Sequence, residues 1–168
     1  ALEKGFLRAP NNARIKFALM WANHDWTNIH PATFRNRPET LASGRVGAEA
    51  FERLTNHALR TYFGRTNYLR IDGAPFFTIY ELGTFLAGLG GVEKARKALD
   101  GLRRRAKDAG HPDIHLNVCV WGFKVLPSEV KVADPVGLIE ELGISSVGSY
   151  AWVHHYDPNS AGFPKGSY

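Results

Sequence analysis

The stretch Ile15–Trp21 (IKFALMW) is almost continuously apolar, which predicts a β-strand that is buried on both faces. A short extended piece later in the chain is followed by Asp72-Gly73, a turn signal, and then by a second apolar run. Together with two further runs, these patterns predict strands near residues 15–21, 76–80, 114–120 and 146–150. The chain is therefore divided by four predicted strands.

The intervals between these strands carry apolar residues at helical spacing. They predict helices over about residues 51–63, 92–106 and 134–142. The glycine-rich segment 88–91 lacks the spacing of a dinucleotide-binding loop and is predicted to be a flexible turn before the second helix. The order of elements is thus β-α-β-α-β-α-β.

This alternation predicts an α/β fold in which parallel strands are covered by helices. The two candidate architectures are an open doubly wound sheet and part of a TIM-type (β/α)₈ barrel. A whole barrel takes about 250 residues, so four strands in 168 residues predict about half of one. No interior linker marks a second domain, and residues 1–168 are predicted to be a single incomplete β/α-barrel region.

Composition excludes several classes of protein. With 44% hydrophobic and 22% charged residues, the chain is neither disordered nor fibrous. The longest charge-free stretch, Leu142–Tyr156, is shorter than the ~20 apolar residues that cross a bilayer, and the first residues lack the apolar core of a signal peptide. We therefore expect a soluble protein without a membrane partner, in a compartment that the sequence leaves open. The single cysteine, Cys119, excludes an intrachain disulfide and a cysteine-based zinc site.

The net charge of +5 does not point to a nucleic-acid partner. Much of the basic excess lies between residues 94 and 107, where acidic residues are interspersed, as on the solvated face of a helix. No base-reading motif accompanies it, so we expect no nucleic-acid binding.

Ligands of either architecture meet the carboxyl ends of the parallel strands. All four tryptophans of the chain lie just past predicted strands, together with Asn, Asp, Glu and His side chains. Indole faces stack on the C–H face of a sugar ring, and the polar groups bind its hydroxyls. We therefore predict an oligosaccharide or polysaccharide ligand, contacted by Trp21, Asn23, His24, Asp25, Trp26, Glu81, Trp121, Trp152, His154 and Tyr156.

Several of these residues have a second, purely structural interpretation that the sequence leaves open. Trp21 and Trp121 would also complete layers of the core, and Asn23 and Asp25 would also satisfy backbone groups of a loop. Glu81 ends an apolar strand, where a half-buried carboxylate needs a partner or a raised pKa. Catalytic residues stay unknown at this point, with Glu81 and Asp25 as the candidates.

No metal or cofactor is predicted. The adjacent His154 and His155 point in opposite directions on an extended segment, so they are poorly placed to hold one metal ion. A metal-dependent hydrolase using His24, Asp25 and His154 is a third interpretation, but the required ligand geometry is not evident. The chain also lacks GxSxG, GxxxxGK[ST] and HExxH motifs.

The segment Ile15–Trp26 (IKFALMWANHDW) resembles the first recognisable block of the glycoside hydrolase family 99-like, or WbsX-like, proteins. Tyr68–Leu82 (YLRIDGAPFFTIYEL) is similar to the family's extended–DGKP–strand segment, with Ala74 where Lys is usual. His115–Gly122 (HLNVCVWG) and Tyr150–His155 (YAWVHH) follow in the family's order. The resemblance covers nearly the whole chain.

The resemblance implies a (β/α)₈ barrel that acts on glycans, with relatives that are retaining endo-acting α-mannosidases and use no cofactor. Their two carboxylates lie in an Asn-Glu-Trp-x-Glu-Gly block that this sequence lacks, so Asp25 and Glu81 would bind or polarise the sugar. We expect a central fragment of such a barrel, which supplies substrate contacts and associates with itself through exposed sheet edges. The alternative is a non-catalytic carbohydrate-binding or assembly module.

Overall fold

Strands and helices alternate along residues 2–30, 39–119 and 134–149, the residues described by this computed structural model. The strands are β1 (Leu19–Trp21), β2 (Trp26–Thr27), β3 (Thr40–Ala42), β4 (Arg70–Ile71), β5 (Ala74–Ile79), β6 (His115–Cys119) and β7 (Ser146–Gly148). The helices are α1 (Ala48–Ala58), continued by a π-helical turn (Leu59–Phe63), α2 (Leu82–Leu89), α3 (Val92–Asp108) and α4 (Pro135–Glu141). Two 3₁₀ turns, Phe6–Arg8 and Asn12–Arg14, precede β1.

The main sheet has the strand order β1-β5-β6-β7, and all of these pairs are parallel. β4 pairs with β5 as an antiparallel hairpin through Asp72 and Gly73, which both have positive φ. β2 and β3 form a separate antiparallel pair. The predicted α/β class with parallel strands is thus confirmed, and among the described strands β1 and β7 lie at the two edges.

β1 is shorter than the apolar stretch from which it was predicted. Only Leu19–Trp21 pairs with β5, whereas Phe17 bridges to Tyr68. The Phe17 N–H donates to the Asn67 carbonyl, and the Leu69 N–H donates to the Phe17 carbonyl. The first half of the stretch is therefore paired with the segment that leads into β4.

One face of the sheet packs against the helices and forms the core. Side chains alternate between the two faces of a strand, and Phe77, Leu116 and their registered neighbours point to the helix side. Phe63 on the π-helical turn packs against Phe77 at 5.9 Å between ring centroids. Each fully buried side chain of this size contributes about 1.5–3 kcal/mol, so this layer supplies much of the fold's stability.

The opposite face of the sheet carries a row of polar side chains. Thr78 Oγ1 donates to Asn117 Oδ1 at 3.3 Å, and Asn117 Nδ2 donates to Ser146 Oγ at 2.8 Å. Ser146 Oγ also lies 2.9 Å from His115 Nε2. The expectation that the strands are apolar on both faces is therefore wrong for this face, because Thr78 and Asn117 are buried with their polar atoms paired across strands.

The segment that includes Gly88 is helical, although a flexible turn was predicted for residues 88–91. Helix α2 runs to Leu89, and Gly90, with φ +82°, is its left-handed C-cap. A Cβ at residue 88 would lie 2.6 Å from the Val46 carbonyl oxygen, so glycine allows the helix to approach that backbone closely. Packing thus overrides the low helix propensity of glycine here.

Helix α3 carries seven of the 21 lysines and arginines of the chain, most of them on a solvated face, as predicted. Glu93 and Lys97 form an exposed ion pair of 2.8 Å at i, i+4 spacing, while Leu99 and Leu102 are fully buried. None of the helices in the described part of the chain has the length and apolar character needed to span a membrane.

Candidate functional site

Asn23 and Glu81 connect the chain just beyond the carboxyl ends of β1 and β5. Asn23 Nδ2 donates to the Glu81 carbonyl oxygen at 2.6 Å, and the Glu81 N–H donates to Asn23 Oδ1 at 2.8 Å. Both residues are buried, each with 1% of its surface exposed. The side-chain amide therefore continues the pairing of the two strands after their backbone ladder has ended.

The Glu81 carboxylate caps the N-terminus of α2. Its Oε1 accepts the Gly83 N–H at 3.1 Å, and its Oε2 accepts the Thr84 N–H. The first N–H groups of a helix have no partner within the helix, and the helix dipole favours a negative charge at this end. The predicted partner of the buried carboxylate is therefore a helix end, and the burial is more complete than the half-buried position that was expected.

Asp25 holds the loop that follows the β2–β3 hairpin. Its Oδ1 accepts the Gly44 N–H at 2.8 Å and the Ser43 hydroxyl at 3.2 Å. A Cβ at residue 44 would lie 2.6 Å from the Asn23 carbonyl oxygen, so only glycine allows this loop to lie against the β1 exit. The same loop continues to Val46, whose backbone packs against α2.

These contacts link the segments at the carboxyl ends of the strands, which we call the mouth of the sheet, into a closed ring. We call this ring the frame. It consists of Asn23, Asp25, Gly44, Glu81 and Gly88. Each contact joins a different pair of segments, namely the β1 exit, the β5 exit, the loop after β3 and α2. The segment between Asn23 and Asp25 is therefore fixed from both sides by buried or close-packed backbone contacts.

The frame carries a cluster of three aromatic side chains, His24, Trp26 and Tyr80, which we call the platform. The His24 and Trp26 rings are nearly parallel, with 15° between their planes and 6.4 Å between centroids. Tyr80 meets the edge of His24 at 5.5 Å and is buried, whereas Trp26 is 63% exposed. The register of the β2–β3 pairing shifts between Trp26 and Thr27, and such an irregularity changes the direction of the Trp26 side chain at the start of the hairpin.

A family model described as Glycosyltransferase WbsX matches residues 2–134. The chain belongs to this family. The match confirms the family resemblance for the three blocks that lie within residues 2–134, and it supports a carbohydrate-related function of the chain. No curated protein and no solved structure matches the chain.

The WbsX family match does not assign a role to any side chain, so the geometry of each candidate is the remaining guide. Trp21 points to the helix side, where its ring lies 5.6 Å from Phe51 and 6.1 Å from Phe85. Its indole is therefore packed in the core, in line with the structural interpretation that was left open. His24 and Trp26 are the described aromatic candidates that are partly or fully exposed and do not pack against the core.

Four candidates of this WbsX family chain lie outside the described residues. They are Trp121, Trp152, His154 and Tyr156, and their contribution to a sugar site stays a prediction. Tyr80 was missed by sequence reasoning because it was counted as the last residue of a strand. Its position directly before Glu81 is the signal that would have placed it at the mouth.

Other reactive groups in the described part of this WbsX family protein do not form a second site. No three His, Cys, Asp or Glu residues there are close enough to hold a metal ion. Burial raises the pKa of the Cys119 thiol to about 11, so it is not a thiolate at neutral pH. A groove of about 410 Å³ opens at the amino end of the strands, where Arg103 is already paired with Asp113 at 3.7 Å and with the Gly143 carbonyl.

Proposed function

We propose that this chain binds a saccharide on the platform, as part of a (β/α)₈ barrel that processes glycans. The observation that carries the proposal is Trp26, which is 63% exposed and lies beside His24 at the carboxyl edge of the sheet. An exposed indole beside an offset, nearly parallel ring is a surface on which a pyranose C–H face stacks. Membership in a carbohydrate-related family supports the same ligand class.

Polar groups beside the indole supply the hydrogen bonds that a sugar needs. Asp25 accepts the Gly44 N–H and the Ser43 hydroxyl through Oδ1, and Oδ2 accepts no hydrogen bond from the described residues. His24 is partly exposed and bonds through one of its two ring nitrogens. A hydroxyl of a stacked sugar therefore has a carboxylate oxygen and an imidazole nitrogen within two residues of Trp26.

The reaction we propose is glycoside hydrolysis of the endo-α-mannosidase type. In this proposal Asp25 positions and polarises the substrate through Oδ2, and Glu81 acts on it only electrostatically, because Glu81 is buried and both of its carboxylate oxygens accept backbone N–H groups. The acid and the base of the reaction would come from carboxylates elsewhere in the barrel. The description of the family favours a second candidate, in which a sugar is transferred to an acceptor hydroxyl instead of water.

The engaged state of Glu81 and Asp25 also favours the non-catalytic alternative, a carbohydrate-binding module. In the longest available form of the protein, Glu81→Gln and Asp25→Asn separate the two, since both remove the charge. Asn keeps Oδ1 for both of its partners, whereas Gln keeps an acceptor for one of the two backbone amides that Glu81 caps. Retained binding with loss of turnover supports an enzyme. Loss of binding in a protein that never shows turnover supports a binding module.

Calorimetric titration with an α-linked mannotriose tests the platform. Trp26→Ala is expected to weaken binding roughly tenfold or more, as truncation of an aromatic anchor does. The matched control is Leu41→Ala, which removes another exposed apolar side chain from the partner strand of the same hairpin and should change affinity less than about twofold. Equal affinities of the native chain and Trp26→Ala would refute the proposal.

A further inference from the structure

The tautomer of His24 is fixed by its neighbour. His24 Nδ1 lies 3.0 Å from the Asp25 carbonyl oxygen. A carbonyl oxygen carries no proton, so Nδ1 must be the donor in this hydrogen bond. In a neutral imidazole with a protonated Nδ1, the other nitrogen, Nε2, carries a lone pair and can only accept.

The orientation of the same ring is fixed by the rest of the site. The Trp26 ring lies beside the His24 ring, nearly parallel to it at 15° and offset with 6.4 Å between centroids, and the Tyr80 ring meets His24 at 64°. The backbone on either side of His24 is held by Asn23 and by Asp25 through the frame. Within the part of the chain that the structure describes, no residue bonds to His24 Nε2, and the residue is partly exposed.

We propose that His24 Nε2 accepts a hydrogen bond from one particular hydroxyl of the sugar that stacks on Trp26. The inference rests on the proposed function and makes it more specific, since it assigns His24 as a residue that determines specificity. The group opposite Nε2 of the neutral ring must be a donor, so a hydroxyl fits there, whereas a carboxylate or phosphate oxygen fits only if Nε2 carries a proton. The ligand class is therefore a glycan whose sugar at this position is uncharged and carries that hydroxyl.

Two substitutions of His24 test the contributions of its two ring nitrogens separately. The side-chain amide of His24→Asn can still donate from the position of Nδ1 but has no atom at the position of Nε2. His24→Gln reaches the position of Nε2 with an acceptor oxygen. We expect His24→Asn to weaken binding of the α-linked mannotriose roughly fivefold, the effect of one net hydrogen bond. His24→Gln should stay within about threefold of the native chain.

Monodeoxy derivatives of the mannotriose identify the partner hydroxyl. One derivative should lose roughly fivefold in affinity for the native chain and nothing further for His24→Asn, because both changes remove the same hydrogen bond.

The possible outcomes distinguish a failure of the His24 assignment from a failure of the proposed function. If Trp26→Ala loses binding while His24→Asn does not, the assignment of His24 is overturned and the platform stands. If every deoxy derivative loses the same factor in the native chain and in His24→Asn, no hydroxyl faces Nε2 and the assignment is again overturned. If the native chain does not bind the mannotriose, or Trp26→Ala binds it equally well, the proposed function fails and the inference fails with it.

Discussion

Replacing Asn23 with alanine removes the side chain that joins the exits of β1 and β5. Two hydrogen bonds disappear, the one from Nδ2 to the Glu81 carbonyl and the one from the Glu81 N–H to Oδ1. The buried Glu81 N–H is then left without its partner, whereas the Glu81 carbonyl still accepts the Phe85 N–H at 3.1 Å. Alanine introduces no new polar atom and no new bulk, so the expected effect comes chiefly from the Glu81 N–H.

The magnitude follows from the cost of an unsatisfied buried group, which is about 1–3 kcal/mol. Because the Glu81 carbonyl still accepts the Phe85 N–H, one group is left unsatisfied and predicts a loss of about 1–3 kcal/mol in the free energy of unfolding, with some relief if water enters the space that the amide leaves. Domains of this size are stable by about 5–15 kcal/mol. The variant is therefore expected to fold, but with a clearly lower denaturation midpoint.

Urea denaturation followed by far-ultraviolet circular dichroism measures this loss at constant m-value. The control is Asn11→Ala, because Asn11 is exposed and makes no side-chain cap hydrogen bond, so its removal should change stability by less than about 0.5 kcal/mol. If Asn23→Ala unfolds at the midpoint of the native chain, the bonds across the mouth do not stabilise the fold. The frame would then not be a rigid support for the platform.

Three further predictions test the loop contact, a pH dependence and the sheet edges. Gly44→Ala should lower stability by about 1–3 kcal/mol because its Cβ would strike the Asn23 carbonyl, whereas Gly64→Ala, with open space around it, should not. Burial, and then the nearby Arg70 guanidinium, lower the pKa of His111. The contribution of neutral His111 to the free energy of unfolding is therefore complete above about pH 6.5, the ordinary pKa, and is lost as pH falls through the lowered pKa. Urea midpoints of the native chain and His111→Gln at a series of pH values should therefore converge in acid. Light scattering should show self-association that Met20→Lys on edge strand β1 reduces.

The results that contradict these predictions are equally specific. A Gly44→Ala variant as stable as Gly64→Ala would mean that the loop moves away at no cost. A constant difference between the native chain and His111→Gln at every pH would exclude the titration. A native chain that stays monomeric at all concentrations would mean that the two edges are covered.

The sequence predicted the fold where a pattern depends on burial alone. Apolar stretches located the parallel strands, and helical spacing located α1, α3 and α4. It failed for α2, because the low helix propensity of Gly88 is offset by a close contact with Val46 that no local pattern encodes. It also failed for the second face of β6, where Asn117 pairs with side chains on two neighbouring strands.

At the site, the types of residue that follow each strand located the carboxyl ends of the sheet, but they did not reveal which groups each side chain contacts. When the strands end, the next backbone groups lose their ladder partners, and a short polar side chain is the nearest replacement. Asn23 suits this role because its side-chain amide offers both a donor and an acceptor. These pair with the carbonyl and the N–H of a single residue, Glu81, just past the neighbouring strand β5. The polar residues predicted to bind sugar are thus largely occupied by backbone groups. The aromatic residues next to them cannot satisfy a backbone pair in this way, so Trp26 is left facing outward, and it is the residue on which a ligand would be recognised.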